Sequence, residues 1–132
     1  ANTAGAFLYT TATPPAACAA ALAALEIIEQ EPQRRVHLLA LAEQLRTALG
    51  ERGWDLAGSQ SQIIPLVVGS AEQALGLAAH LDADGLLAPA IRPPTVPAGR
   101  CRVRVSLCAD HTRQDVERLI ASLDRFKTDA LR

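Results

Sequence analysis

Apolar residues recur along this chain with two different periods, and the period indicates which segments are helices and which are strands. Residues 14–29 are apolar and alanine-rich, and they follow a Thr-Pro-Pro sequence that favours the start of a helix. Glu31 and Pro32 interrupt this helix and begin a second one. Its apolar residues share one face: Leu38, Leu41, Leu45 and Leu49. Gly50 and Gly53 are its candidate ends.

Short apolar runs alternate with a helical pattern in the next segment. Residues 63–69, IIPLVVG, predict a buried strand in which Pro65 lies at an edge or a bulge. Ser70 and Gln73 have the spacing of a capping box and begin a helix that extends to about residue 82, before Gly85. Residues 86–92, LLAPAIR, predict a second strand.

The clearest strand signal is the alternation of residues 100–107. Apolar side chains occupy one face (Cys101, Val103, Val105 and Leu107), and polar ones occupy the other (Arg100, Arg102, Arg104 and Ser106). Thr112 and Asp115 then begin a last amphipathic helix. The order of elements predicts an α/β fold of the two-layer α+β type: a small, mainly antiparallel sheet of about three strands with helices on one face.

Composition narrows the function classes. The chain has 132 residues, the size of one domain, and 13 basic residues balance 14 acidic ones, which argues against a nucleic acid or an anionic membrane as the main partner. The longest apolar run, residues 16–25, is too short to cross a bilayer. Cys18, Cys101 and Cys108 have neither disulfide-framework nor zinc spacing, which favours a reducing cytoplasm.

Candidate chemistry concentrates in residues 91–104, IRPPTVPAGRCRVR, where four arginines surround a double proline and a Pro-Ala-Gly turn. Arginines at alternate positions of one strand face repel each other unless carboxylates or an anionic ligand lie near. One interpretation is a solvated sheet face. The other is a carboxylate clamp in which Arg92 approaches a strand arginine across a preset loop.

The histidines and a cluster of hydroxyl side chains give weaker indications of function. His37, His80 and His111 lie on different predicted elements without metal-ligand spacing, so we expect no metal site, and we expect His111 to support the start of the last helix. The hydroxyl cluster of Tyr9, Thr10 and Thr11 precedes a helix start, where it is either a loop and cap or a phosphate contact.

Three strings in the chain carry a resemblance to a known family. AIRPPTVPAG, the following RVRVSLCADHT and the earlier FLYTTATPPA resemble the α-oxoamine synthase family of pyridoxal-phosphate (PLP) enzymes, from about Phe7 to Leu123. The resemblance implies the C-terminal domain of a fold-type I PLP enzyme, the aspartate-aminotransferase type. It makes residues 1–13 an approach segment from a large PLP domain and residues 14–132 the C-terminal small domain.

The same resemblance implies roles for individual residues. Arg104 and Arg92 match arginines near the amino-acid carboxylate, with Arg104 the more direct, and Thr95 matches a residue lining the substrate site. Thr10 and Thr11 match a hydroxyl pair that reaches the cofactor phosphate of the partner subunit in a homodimer. These roles leave Arg100 and Arg102 as structural or solvated residues.

The implied reaction is a decarboxylative condensation of an amino acid with an acyl thioester, with PLP as the electron sink. The single lysine of this sequence, Lys127, lies outside the family motifs, so we expect the Schiff-base lysine to lie in another part of a longer enzyme and this fragment to be inactive by itself. L-alanine and a pimeloyl thioester, carried by coenzyme A or a carrier protein, are the first substrate choice, for biotin biosynthesis.

Two alternatives stay open. Family members that use serine or glycine share the fold and a similar Arg-Pro-Pro turn. A different class, a free-standing small domain that binds a carboxylate ligand or a protein without catalysis, also fits the element order. The chain length of the acyl donor is not specified by the sequence.

Overall fold

The computed structural model describes residues 13–130, and the predicted fold class is confirmed. The elements in chain order are α1 (Pro15–Gln30), α2 (Pro32–Glu51), β1 (Ile63–Gly69), α3 (Ala71–Ala83), β2 (Ala90–Ile91), β3 (Cys101–Ser106) and α4 (Arg113–Ala130). None of the helices between residues 13 and 130 is long and apolar enough to cross a membrane.

The chain divides into two compact units at Gln33. Helix α1 lies in the first unit, has prolines at its start as predicted, and contains no buried residue. Two of its leucines, Leu22 and Leu25, are more than half exposed. The predicted boundary between an approach segment and the small domain, at residues 13 and 14, stays a prediction, because residues 1–12 lie outside the described residues.

The second unit is built on a three-stranded antiparallel sheet in the order β1, β3, β2. The central strand β3 pairs with β1 through residues such as Leu66 opposite Val103 and Pro65 opposite Arg104. Since β1 is an edge strand, Pro65 costs the sheet no interior hydrogen bond, as the sequence predicted. The register shifts between Val67 and Gly69.

Helices α2, α3 and α4 cover one face of this sheet. The fully buried leucines of α2 are Leu41, Leu45 and Leu49, at the helical spacing read from the sequence. The buried core also takes in Ile64, Leu66, Leu77, Leu81, Val103, Val105, Val116, Leu119 and Leu123. The burial of these side chains is the main source of stability for the second unit.

Two capping boxes begin helices where the sequence placed them. The Ser70 side chain accepts from the Gln73 backbone N–H, and the Gln73 side chain accepts in return from the Ser70 backbone. Thr112 and Asp115 exchange the same pair of bonds at the start of α4, which lowers the pKa of Asp115, mainly through the Thr112 backbone N–H and then the Thr112 hydroxyl.

Two element boundaries differ from the predictions. Gly50 lies inside α2, which continues to Glu51, and Gly53 instead takes the left-handed conformation after the helix, with φ of 72°. The predicted strand over residues 86–92 is reduced to Ala90–Ile91. The Leu86 N–H donates to the carbonyl of Leu81 at the end of α3, and Pro89 has no N–H. Neither residue can therefore donate a backbone hydrogen bond to the sheet.

A polar cluster joins the end of α3 to α4. The Asp84 carboxylate accepts hydrogen bonds from the buried Ser122 hydroxyl and from Arg125, the latter at 2.6 Å. These bonds, that of Ser122 first, hold the pKa of Asp84 below its ordinary value. His80 Nε2 donates to the backbone carbonyl of Ser122 at 2.9 Å. This hydrogen bond is a second polar link between α3 and α4.

Candidate functional site

The outer face of β3, opposite the helices, carries the polar side chains predicted by the alternation. Cys101, Val103 and Val105 are buried against the helices, whereas Arg102 is half-buried and Arg104 is exposed. The neighbours on this face are apolar, because Arg104 lies opposite Pro65, and Arg102 lies between Val67 of β1 and Ile91 of β2. The outer face thus places two guanidinium groups among aliphatic side chains.

The loop between β2 and β3 folds back over this face. The Thr95 N–H donates to the Arg92 carbonyl at 3.0 Å and closes a turn that contains the cis Pro93–Pro94 peptide bond. A second turn is closed by the Arg100 N–H and the Pro97 carbonyl at 3.1 Å, and Gly99 supplies its positive φ of 77°. The loop is thereby fixed by its own hydrogen bonds.

The loop and the sheet enclose an open depression of about 400 Å³ on the outer face. Its lining residues are Ala57, Ser59, Ser61, Ile63, Pro65, Ile91, Thr95, Val96, Arg102 and Arg104. The structure thus brings together Thr95 and Arg104, two of the residues predicted for substrate binding. None of the described residues that line it is acidic, and the volume lies in the range of small-molecule sites.

The two lining arginines differ from most other arginines of the described residues. Ion pairs with a carboxylate within 4.0 Å are formed there by Arg34, Arg46, Arg52, Arg100, Arg118 and Arg125. Within the part of the chain that the structure describes, Arg102 and Arg104 have no such partner. An anionic ligand in the depression would meet two uncompensated positive charges.

Arg92 does not line the depression. It is exposed at the end of β2, and its backbone carbonyl, not its guanidinium, takes part in the turn. The approach of Arg92 and Arg104 to one carboxylate therefore stays a prediction. Thr10 and Thr11, predicted to reach a cofactor phosphate, lie outside the described residues.

Sequence reasoning missed two contributions to the depression. Arg102 was interpreted as structural or solvated, although the alternation already put it on the face of Arg104. Ser59, Ser61 and Ala57 come from the connection between α2 and β1, where no sequence signal marked them. Only the folding of that connection against the edge strand makes them lining residues.

Histidines and cysteines form no metal site between residues 13 and 130. His37 and His111, which are distant in sequence, do meet: His37 Nε2 donates to the His111 carbonyl at 2.9 Å. The His111 Nδ1 accepts from the Cys108 backbone N–H at 2.9 Å, so this side chain fixes the turn before α4. Both histidines are held by backbone groups near that helix start.

Lys127 is engaged elsewhere in the fold. Its Nζ donates to the Arg52 carbonyl at 2.6 Å and lies 4.4 Å from the centre of the Trp54 ring. This ammonium group therefore ties α4 to the residues that follow α2, away from the depression.

This chain is a small α/β domain that presents basic side chains on one uncovered face of its sheet. The family model of aminotransferase class I and II matches residues 1–123, and the chain belongs to that family. The 8-amino-7-oxononanoate synthase of Polaromonas naphthalenivorans is 49% identical over 97% of this chain and 34% of its own length.

Solved structures agree with this membership. Serine palmitoyltransferase of Sphingomonas wittichii superposes with a TM-score of 0.79 at 31% identity, covering 86% of this chain and 29% of its own. A structure of SPT with a PLP internal aldimine gives a TM-score of 0.81 at 28% identity, with the same coverage. The chain spans about a third of the length of the curated relatives it matches.

Proposed function

We propose that the protein containing this chain is a PLP-dependent acyltransferase that condenses an amino acid with an acyl thioester. The observation that carries the proposal is the uncompensated guanidinium of Arg104 beside Thr95, in a depression without acidic lining. The aminotransferase family match and the relatives named 8-amino-7-oxononanoate synthase support the reaction class. The first substrate choice is L-alanine with a pimeloyl thioester, for biotin biosynthesis.

The reaction balances without an added oxidant or reductant. A carbon–carbon bond forms between the amino-acid Cα and the thioester carbonyl carbon, and the carbon–sulfur bond breaks. The leaving thiolate takes up one proton from water and departs as the thiol. The bond between Cα and the amino-acid carboxylate also breaks, and carbon dioxide leaves. The product keeps the amino group on the carbon beside the new ketone.

The residues of this chain bind and orient the amino acid. The Arg104 guanidinium holds the α-carboxylate by two parallel hydrogen bonds, which fixes the direction of the bond that breaks. Thr95, on the loop stabilised by the Arg92 carbonyl, adds a hydroxyl at the same depression. We retain Arg92 as a second arginine for the same carboxylate.

PLP, the proposed cofactor, is not anchored by the residues the structure describes. Its aldehyde requires an amine, and the ammonium group of Lys127 is committed to the Arg52 carbonyl and the Trp54 ring. We therefore assign the cofactor's attachment to another part of the longer protein and derive no step through it here. Thr10 and Thr11 remain the proposed contacts to the phosphate of the partner subunit's cofactor, in a cytoplasmic homodimer.

A second candidate is serine palmitoyltransferase activity. The superposition on such enzymes supports it, and the aliphatic lining of the depression by Ile63, Pro65, Ile91 and Val96 suits an alkyl chain. Glycine C-acetyltransferase and 5-aminolevulinate synthase are the other family alternatives. A free-standing domain that binds a carboxylate without catalysis is the alternative of another class.

Turnover by the full-length protein supplied with PLP tests the proposal. We expect equal amounts of thiol and carbon dioxide from alanine and a pimeloyl thioester, with serine and glycine slower. We also expect a near-visible absorption band that borohydride abolishes. Exclusive use of serine with a palmitoyl thioester would favour the second candidate, and the absence of both thiol release and the band would refute the acyltransferase proposal.

A further inference from the structure

Arg102 differs from the arginines of the helices, because it faces the depression on the sheet and they do not. It lies on the central strand, half-buried between Val67 and Ile91, and it lines the same depression as Arg104. An arginine with aliphatic neighbours on both sides can pack its methylene stem against them and keep its charged end in the depression that it lines.

The orientation of the Arg102 side chain is fixed by its own strand. Its Nε donates to the Arg100 carbonyl at 3.1 Å, which uses one of the five guanidinium N–H groups. The two terminal nitrogens keep their donors, and no carboxylate of the described residues pairs with them. Arg100, two residues earlier, is instead paired with Asp55 at 3.4 Å.

The two lining arginines are enough to hold two anionic groups in the depression. Arg102 and Arg104 project from the same face of β3, with Cα atoms about 7 Å apart. Like charges at this spacing repel each other, and an acidic partner for either is lacking in the depression. Two carboxylates, or one ligand with two carboxylates near its ends, would relieve this repulsion.

The proposed reaction supplies a second carboxylate. The name 8-amino-7-oxononanoate describes a nine-carbon acid whose carboxylate is C1 and whose new bond joins C7 to C8. The acyl donor therefore carries a terminal carboxylate that survives the reaction, about 7–8 Å from the reacting carbonyl carbon in an extended chain. The α-carboxylate at Arg104 is a separate group that leaves as carbon dioxide.

We infer that Arg102 is the binding residue for the terminal carboxylate of a dicarboxylic acyl donor, with Ile91 and Pro65 of the same lining beside the methylene chain. This inference rests on the proposed function and narrows it: Arg102 selects donors that end in a carboxylate over plain alkyl donors. A site that must satisfy a charged group discriminates strongly between such donors.

Steady-state kinetics of the full-length protein with a matched pair of donors test this inference. Pimeloyl and heptanoyl thioesters have the same chain length, and only the first ends in a carboxylate. We expect Arg102→Gln to lower the ratio of kcat/KM for the pimeloyl over the heptanoyl donor at least tenfold, and Arg102→Lys to retain part of that ratio. Arg104→Gln should lower amino-acid use and leave the ratio within twofold.

Arg113→Gln serves as the matched control, since it removes the same charge from the exposed start of α4. An unchanged ratio in Arg102→Gln would overturn the inference, and so would a higher KM for the amino acid alone, which would make Arg102 a second arm of the Arg104 site.

Calorimetric titration with free pimelate and free heptanoate separates the inference from the proposed function. One outcome is that pimelate binding weakens in Arg102→Gln but not in Arg113→Gln while the protein turns over neither thioester. This outcome would support the Arg102 subsite and refute the proposed reaction. Turnover of both thioesters by the wild-type protein, with pimelate binding unaltered in Arg102→Gln, would refute the subsite alone.

Discussion

The two faces of β3 have opposite properties although they alternate within six residues. Cys101, Val103 and Val105 are buried under the helices, while Arg102 and Arg104 on the other face have no carboxylate partner among the described residues. The first face is fully covered by the helices of the domain. The second face carries charges that no described residue neutralises. The strand thus separates stability from ligand binding, so substitutions on the two faces should have separable effects.

The largest loss of stability should follow a substitution on the buried face of the sheet. Leu66 is fully buried opposite Val103, and Leu66→Ala should lower the free energy of opening by about 2–5 kcal/mol, through lost transfer energy and the cavity left behind. Amide hydrogen exchange of α3 and β3 in the full-length protein measures this loss. Leu87→Ala, at a side chain 91% exposed, is the control and should change the exchange little. Equal effects of the two substitutions would contradict the assigned core.

The open face should give a kinetic effect without comparable loss of stability. Arg104→Gln removes the charged partner of the α-carboxylate. The transition state should lose about 1.5–3 kcal/mol of stabilisation, so kcat/KM for the amino acid should fall roughly 10- to 150-fold. Steady-state rates at varied amino-acid concentration measure it. Unaltered amino-acid kinetics would show that Arg104 is not the carboxylate ligand.

The helix layer over the packed face should respond to acid through Asp84. Its pKa is lowered in the folded protein by the Ser122 and Arg125 hydrogen bonds, so its contribution to stability is present above the ordinary pKa near 3.8 and is lost as the pH falls towards the folded value. The protection factors of the α4 amides, which are corrected for the intrinsic pH dependence of exchange, should therefore fall less steeply between about pH 5 and about pH 2 in Asp84→Asn than in the wild type. The exposed Asp82→Asn is the control, and identical pH profiles of the wild type and Asp84→Asn would refute this coupling.

The smallest effect should come from the arginine at the edge of the open face. Arg100 pairs with Asp55 at 3.4 Å, and both side chains are about half exposed. Arg100→Gln should change the free energy of unfolding by about 0–1 kcal/mol, since water and salt screen such pairs. Donor selectivity and amino-acid kinetics should stay at wild-type values. A loss of turnover as large as that of Arg104→Gln would place Arg100 in the binding site.

Much of the fold followed from local signals. The alternation of β3, the leucine spacing of α2 and the two capping boxes each depend on residues only a few positions apart, and all were predicted. The predicted second strand is shorter than expected because a hydrogen bond between residues five positions apart competes with the nonlocal sheet ladder. The Leu86 N–H closes α3 through Leu81, and a sequence pattern does not weigh that bond against a sheet ladder.

The candidate site was predicted less completely than the fold. The resemblance named Arg104 and Thr95, which the structure brings to one depression, and Arg92, which it leaves outside the lining. It did not separate Arg102 from Arg100, because the distinction lies in their partners. Asp55 reaches Arg100 from the connection after α2, and no acidic side chain between residues 13 and 130 pairs with Arg102.

Which side chains share a face can be read from the sequence, because backbone periodicity fixes that relation within each element. Which charges are neutralised and which remain available depends on the folded arrangement of the elements. Pairing depends on distances between residues far apart in the chain, such as Arg52 and Asp124 or Arg100 and Asp55. Arg102 and Arg104 remain uncompensated among the described residues because the fold brings aliphatic and hydroxyl side chains, and no carboxylate, to their depression.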